Sequence, residues 1–145
     1  MDGPMKPVPK KRKPSRQQPP QSTWKILIID DDVATTVPLR DYLRSEKGFD
    51  VLIAGTGVEG IRAAVEHVPD LILLDFRLID MSGLEAHEIL RRNPVTQHIP
   101  VIYSSLFLTL KTIEQAAMKG AKGFISKPFN PSDIYAKVTS ALAST

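Results

Sequence analysis

Cysteine is absent from the 145 residues, so disulfides, thiol nucleophiles and cysteine metal sites are excluded. No apolar run approaches the roughly 20 residues that a membrane-spanning helix needs. The basic N-terminus is not followed by the apolar stretch of a signal peptide. Histidine is sparse too: His67, His87 and His98 have no metal-ligand spacing and read as surface residues. What remains is ample for one domain with a real core, since 42% of the chain is hydrophobic. A cytoplasmic protein is expected.

The positive net charge of +3 is unevenly placed. Residues 1–23 hold six Lys and Arg against the single acid Asp2, leaving 13 basic and 15 acidic residues for the remainder. The same segment holds six of the 12 prolines and too little apolar surface to offset the entropy of ordering it. Residues 1–23 are therefore expected to be a disordered basic tail, and residues 24–145 the folded domain. The cluster Pro9-Lys10-Lys11-Arg12-Lys13-Pro14 suits nucleic acid or an anionic surface; a plain solvated spacer is the other reading.

From Trp24 onward, short apolar runs alternate with segments of helical length. Strands are expected at Lys25 to Ile29, Asp50 to Ala54, Leu71 to Leu74, Val101 to Ser104 and Gly123 to Ser126. They are rich in Ile, Val and Leu, as strands covered on both faces should be. Helices are expected at Val58 to Glu66, with Val58, Ile61 and Val65 on one face, and at Leu84 to Arg92, with Ile89 and Leu90 inward. A further helix covers Thr109 to Lys119, and the last starts at Asn130-Pro131 and runs to about Leu142. Pro38 falls inside the expected first helix, which should start late, near Thr35 or Thr36, or kink. The alternation predicts an α/β fold with a parallel sheet and helices on both faces.

In such sheets the functional crevice lies at the carboxyl ends of the strands. Asp30, Asp31 and Asp32 follow the first strand, Asp75 the third, Ser105 the fourth and Lys127 the fifth. Carboxylates, a hydroxyl and an ammonium would meet at one edge, which suits a divalent cation and a phosphoryl group. Each residue alone is an ordinary cap or surface group; their joint placement is the informative part.

The runs Ile28-Ile29-Asp30-Asp31-Asp32, Leu73-Leu74-Asp75-Phe76-Arg77-Leu78, Met81-Ser82-Gly83, Pro100-Val101-Ile102 with Ser105, and Phe124-Ile125-Ser126-Lys127-Pro128-Phe129 resemble the receiver domain of two-component response regulators. The resemblance covers residues 24 to about 142. It implies a flavodoxin-like, doubly wound five-stranded sheet in the order 2-1-3-4-5. It also implies that Asp75 accepts a phosphoryl group from the phosphohistidine of a sensor histidine kinase or a phosphotransfer protein. Asp30, Asp31, Asp75 and the Arg77 backbone carbonyl would hold Mg²⁺ or Mn²⁺. Lys127 and Ser105 would bind the phosphoryl oxygens, and Lys127-Pro128 matches the family's cis peptide. Ser105 and Phe124 would act as the switch, changing the face made by the fourth helix, fifth strand and fifth helix for an unknown protein target. The implied protein is a signalling phospho-acceptor rather than an enzyme with turnover on a separate substrate.

Four features depart from the family pattern. Ile79 replaces the usual proline and should loosen the loop after Asp75. Pro38 lies in the first helix. Leu106 stands where a small residue is favoured. Leu106, Phe107 and Leu108 make the next loop apolar: either the fourth helix starts early and buries them, or they form a partner surface. Phe107, with Arg77, also suggests a long-lived phosphoryl state through exclusion of water. A receiver that binds partners without phosphorylation remains the alternative. The chain ends after the last helix, which reads as a single-domain regulator or as an excised fragment. The Asp30-Asp31-Asp32 run also fits the Asp-x-Asp core of haloacid-dehalogenase-type phosphatases, although Ala34 stands where that motif wants Thr or Val.

Overall fold

A computed structural model of the chain describes residues 23–144; the tail assigned to residues 1–23 lies outside them except for Thr23. Five strands and five helices alternate: β1 Lys25–Ile29, α1 Val33–Lys47, β2 Asp50–Ala54, α2 Gly57–His67, β3 Leu71–Asp75, α3 Gly83–Arg92, β4 Val101–Ser105, α4 Leu110–Met118, β5 Gly123–Ser126 and α5 Pro131–Ala143. All pairings are parallel, in the order β2-β1-β3-β4-β5. The expected fold class and strand order are those observed. β3 and β4 each run one residue further than expected, which places Asp75 and Ser104 as register partners inside the ladder.

Side chains alternate across a strand, and the two faces bury separate cores. Ile26, Ile28, Leu71, Leu73, Ile102 and Ile125 pack under α1 and α5. Leu27, Ile29, Ile72, Leu74, Val101 and Tyr103 pack under α2, α3 and α4. β1 and β3 are neighbours, yet the chain leaving β1 enters α1 on one face and the chain leaving β3 enters α3 on the other. This divergence opens a crevice at their carboxyl ends.

Helix starts follow local chemistry. Thr56, Ser82, Thr109 and Asn130 each accept a backbone N–H of the helix they open. Gly48 closes α1 at φ 74°, a left-handed conformation that glycine adopts without a Cβ clash. Gly83 has a second constraint. A Cβ there would stand 2.5 Å from the Asp75 carbonyl oxygen, so only glycine lets α3 begin against the end of β3.

Three helical expectations are corrected. α1 starts at Val33 and carries Pro38 in its interior, because packing of Leu39 and Leu43 against the sheet outweighs the lost hydrogen bond. The inward face of α2 is Gly57, Gly60 and Ala64, with Val58 and Val65 exposed; close approach to the sheet favours the small residues. In α3 the buried residues are Gly83, Ala86, His87 and Leu90, whereas Ile89 is exposed.

Because Pro38 is solvent-exposed and denies Ala34 its i+4 donor, Pro38→Ala should stabilise the chain by about 1–3 kcal/mol. A urea unfolding midpoint that stays level or falls would show that the proline's restriction of the unfolded chain dominates instead.

Candidate phospho-acceptor site

β1, β3 and β5 bring Asp30, Asp75 and Lys127 to one edge. The side chain of Lys127 reaches across the end of β4, setting its Nζ 2.8 Å from Asp30 Oδ2 and 3.3 Å from Asp75 Oδ2. Asp30 and Asp75 are buried, while Asp31 is exposed. Carboxylate oxygens of Asp30, Asp31 and Asp75 lie within 4.8 Å of one another. Asp30 Oδ1 accepts the Asp32 N–H at 2.9 Å, and Asp32 occupies the N-cap position of α1. The Lys127–Pro128 peptide is cis, and the Lys127 N–H donates to the Ser105 carbonyl at 2.8 Å.

Two acids and one ammonium share this buried space, so one negative charge is left over. Burial, and next the charge of Asp30, push the Asp75 carboxyl up to about 6; Lys127 opposes the rise. Burial pulls the Lys127 ammonium down, but the hydrogen bond and charge of Asp30, followed by Asp75, outweigh it and hold its pKa above the ordinary lysine value. Three hard oxygen donors crowded together with a negative excess fit a divalent cation such as Mg²⁺.

Ser105 is buried but engaged elsewhere. Its Oγ accepts the Phe107 N–H at 3.1 Å and donates to the Phe107 carbonyl at 3.2 Å. Leu106 and Phe107 are 66% and 79% exposed, and Leu108 is half-buried. The expectation that α4 starts early and buries this run is therefore corrected. Thr109 caps α4 and Leu110 is its first residue, so the preceding loop has no helix to carry it onto the core. Phe124 is half-buried, with its ring centroid 6.3 Å from that of Tyr103 in a stacked arrangement.

Ile79 stands exposed in the loop after Asp75. The loop is closed by Gly83 N–H donating to the Phe76 carbonyl at 2.8 Å and Leu78 N–H to the Met81 carbonyl at 3.1 Å. Asp80 binds it to α2, accepting Gly57 N–H at 2.7 Å and Val58 N–H at 3.0 Å. Those two donors hold the Asp80 carboxyl below its usual pKa.

His87 is corrected from surface to core: it is 4% exposed and its Nδ1 shares a 2.8 Å hydrogen bond with the Tyr103 hydroxyl. Its place beside Ala86, one residue off the Ala86–Leu90 face of α3, was the available sign. Burial, followed by the positive charges of Arg91 and Lys119, pulls the His87 pKa down to about 4. The acid Asp80 and the Glu88–Lys119 pair at 3.0 Å, which ties α3 to the end of α4, were likewise missed by sequence reasoning. Nothing in their spacing marked them, because their partners are 22 to 31 residues away.

The single sheet covered by helices on both faces and its acidic edge define a class of signalling domain, and comparison with known proteins agrees. The family model for the response regulator receiver domain matches residues 26–139. The chain is 34% identical over 122 residues to the DNA-binding response regulator MtrA of Mycobacterium tuberculosis, covering 81% of this chain and 50% of MtrA. It is 32% identical over 108 residues to the polar-differentiation response regulator DivK of Brucella ovis, covering 74% of this chain and 87% of DivK. Among solved structures, a CheY-like response regulator receiver domain protein from Methanospirillum hungatei superposes with a TM-score of 0.78 at 30% identity, covering 84% of this chain and 95% of that one. The chain belongs to the response regulator receiver domain family. It spans about half the length of the transcriptional-regulator relatives it matches. Receiver domains are signalling phospho-acceptors of two-component systems. Among the described residues no helix is long and apolar enough to cross a membrane.

Two outcomes are expected of the metal-free protein. Lys127→Met should move the Asp75 carboxyl titration, followed by ¹³C NMR, above its position near 6, because the opposing ammonium is gone; a titration unchanged or lowered would contradict the pairing. His87, neutral when folded but charged when unfolded between about 4 and its ordinary value of 6.5, contributes stability that is lost as pH falls through that window. The stability advantage of the wild type over His87→Asn should therefore shrink by about 1–3 kcal/mol between pH 7 and pH 4. A constant difference in urea unfolding would show that His87 does not titrate in this way.

Proposed function

We propose that Asp75 is the phospho-acceptor of a two-component phosphorelay, taking its phosphoryl group from a phosphohistidine on a sensor histidine kinase or phosphotransfer protein. An oxygen of the Asp75 carboxylate attacks phosphorus, the P–N bond breaks, and its electron pair returns to the imidazole nitrogen. The product is an acyl phosphate on Asp75. The observation that carries this reading is the Asp75 carboxylate, buried at the end of β3, with Lys127 Nζ at 3.3 Å and the Asp30 and Asp31 oxygens beside it.

Phosphoryl transfer needs positioning and charge neutralisation more than covalent help. Lys127 is placed to hold one phosphoryl oxygen by a charge-assisted hydrogen bond. Ser105 supplies a second donor once its hydroxyl leaves the Phe107 backbone. Asp30, Asp31 and Asp75, with the Arg77 carbonyl, would hold Mg²⁺ or Mn²⁺, which when bound supplies positive charge against the phosphoryl oxygens. The Ser105 movement would let Phe124 turn inward and change the face made by α4, β5 and α5 for a protein target. Phe124 has no hydroxyl, so burial of its ring is the driving force for that state. Leu106, Phe107 and Leu108 extend this face as a candidate partner surface. The basic segment of residues 1–23 would add affinity for nucleic acid or an anionic surface.

Phe107 and Arg77 are suited to exclude water from the acyl phosphate, giving a long-lived phosphoryl state. A second reading, a receiver that binds partners without phosphorylation, draws on the exposure of Leu106 and Phe107, which needs no phosphoryl group.

Radiolabelled acetyl phosphate with Mg²⁺ should label the wild type but neither Asp75→Asn nor the Mg²⁺-free protein. Labelling independent of Asp75, or none at all, would favour the second reading. Decay of the label should quicken several-fold in Phe107→Ala; a lifetime of seconds unaffected by that substitution would remove the water-exclusion idea.

A further inference from the structure

Tyr103 is the largest fully buried side chain of the described residues, and three rings surround it. Phe76, the residue after Asp75, lies 5.6 Å away centroid to centroid; Phe124, its register partner on β5, lies 6.3 Å away; His87 of α3 lies 5.4 Å away, edge-on. Ser105 is two residues further along β4 and so shares its face. The Tyr103 hydroxyl and His87 Nδ1 are 2.8 Å apart, which makes this the polar link between the sheet and α3 in that layer. The next residue of α3, Glu88, holds Lys119 at the end of α4 with a 3.0 Å ion pair. α4 has little else to hold it, since Ala116 is its one buried residue.

We propose that Tyr103 and His87 are positioning residues that join the acceptor edge of the sheet to the seam between α3 and α4, so that a change at Asp75 reaches Glu88 and Lys119 through their hydrogen bond. The inference rests on Asp75 being the phospho-acceptor. A change at Asp75 displaces Phe76 and Ser105 first. Both bear on the Tyr103 ring or its strand, and a packed ring transmits displacement because it has no free volume around it. A ring without its hydroxyl could slip against α3. A ring tied to His87 carries the middle of α3 with it, and Glu88, the next residue, carries Lys119.

The test uses the full-length chain, with trifluoroberyllate and Mg²⁺ as the phosphoryl mimic and backbone amide chemical shifts as the readout. In the wild type, resonances of Phe124, Glu88 and Lys119 should all move on loading, and none should move in Asp75→Asn. Tyr103→Phe leaves His87 with an unpaired buried nitrogen and is destabilising, so the decisive variant is the double substitution Tyr103→Phe with His87→Leu. Replacing both partners by apolar groups spares the fold that penalty. The double variant should keep the Phe124 shift and lose those of Glu88 and Lys119. His87→Asn, whose side-chain amide can still reach the Tyr103 hydroxyl, should recover them. Wild-type shifts at Glu88 and Lys119 in the double variant would overturn the link, as would an Asn variant in which they stay absent. A wild type that shows no Asp75-dependent shift at all would instead overturn the phospho-acceptor reading, and this inference with it.

Discussion

The ammonium of Lys127 between the carboxylates of Asp30 and Asp75 is the interaction on which the rest of the edge depends. Two buried carboxylates at this separation repel, and neither has bulk water to screen it. One lysine offsets part of that repulsion and no more, which leaves an electronegative pocket. A fully compensated cluster would be inert. An uncompensated one would cost several kcal/mol and deform the strand ends. The balance struck here keeps the edge folded while leaving it electronegative.

That balance is possible because the sheet is covered on both faces. The strands leave no choice about where β1, β3 and β5 end, as Ile, Leu and Val fill two separate cores with little freedom to slip. Their carboxyl ends are therefore a rigid frame. Gly83 lets α3 begin directly against the Asp75 carbonyl, and Asp80 fastens the intervening loop to α2. Asp75 is thus held by backbone hydrogen bonds on one side and by charge on the other. The least packed parts are the Leu106–Leu108 loop and α4, which buries Ala116 and is tied to α3 by the Glu88–Lys119 ion pair.

Much of this was legible in the chain. The five apolar runs, the polar residues closing four of them, and the cap at Asn130-Pro131 identify a parallel sheet with a polar edge, because strand burial and helix capping are local properties. The meeting of the acids and the lysine was legible only jointly, through their common position at strand ends. The helix faces were less so. Val58 and Val65 fit a helical stripe, yet α2 turns Gly60 and Ala64 inward because Ile29 leaves no room for a larger side chain there. Pro38 obeys its local preference less than it obeys the packing of Leu39 and Leu43.

The sequence by itself determined the fold class and the residue types gathered at the strand ends, since apolar runs and turn chemistry are written in neighbouring residues. Only the tertiary structure decided that His87 is a core residue bound to Tyr103, that Ser105 is occupied by the Phe107 backbone, and that Leu106 and Phe107 are left in solvent. Those facts depend on which distant side chains arrive at the same place. Burial and hydrogen-bond partnership are properties of the packed whole, and spacing along the chain carries no record of them.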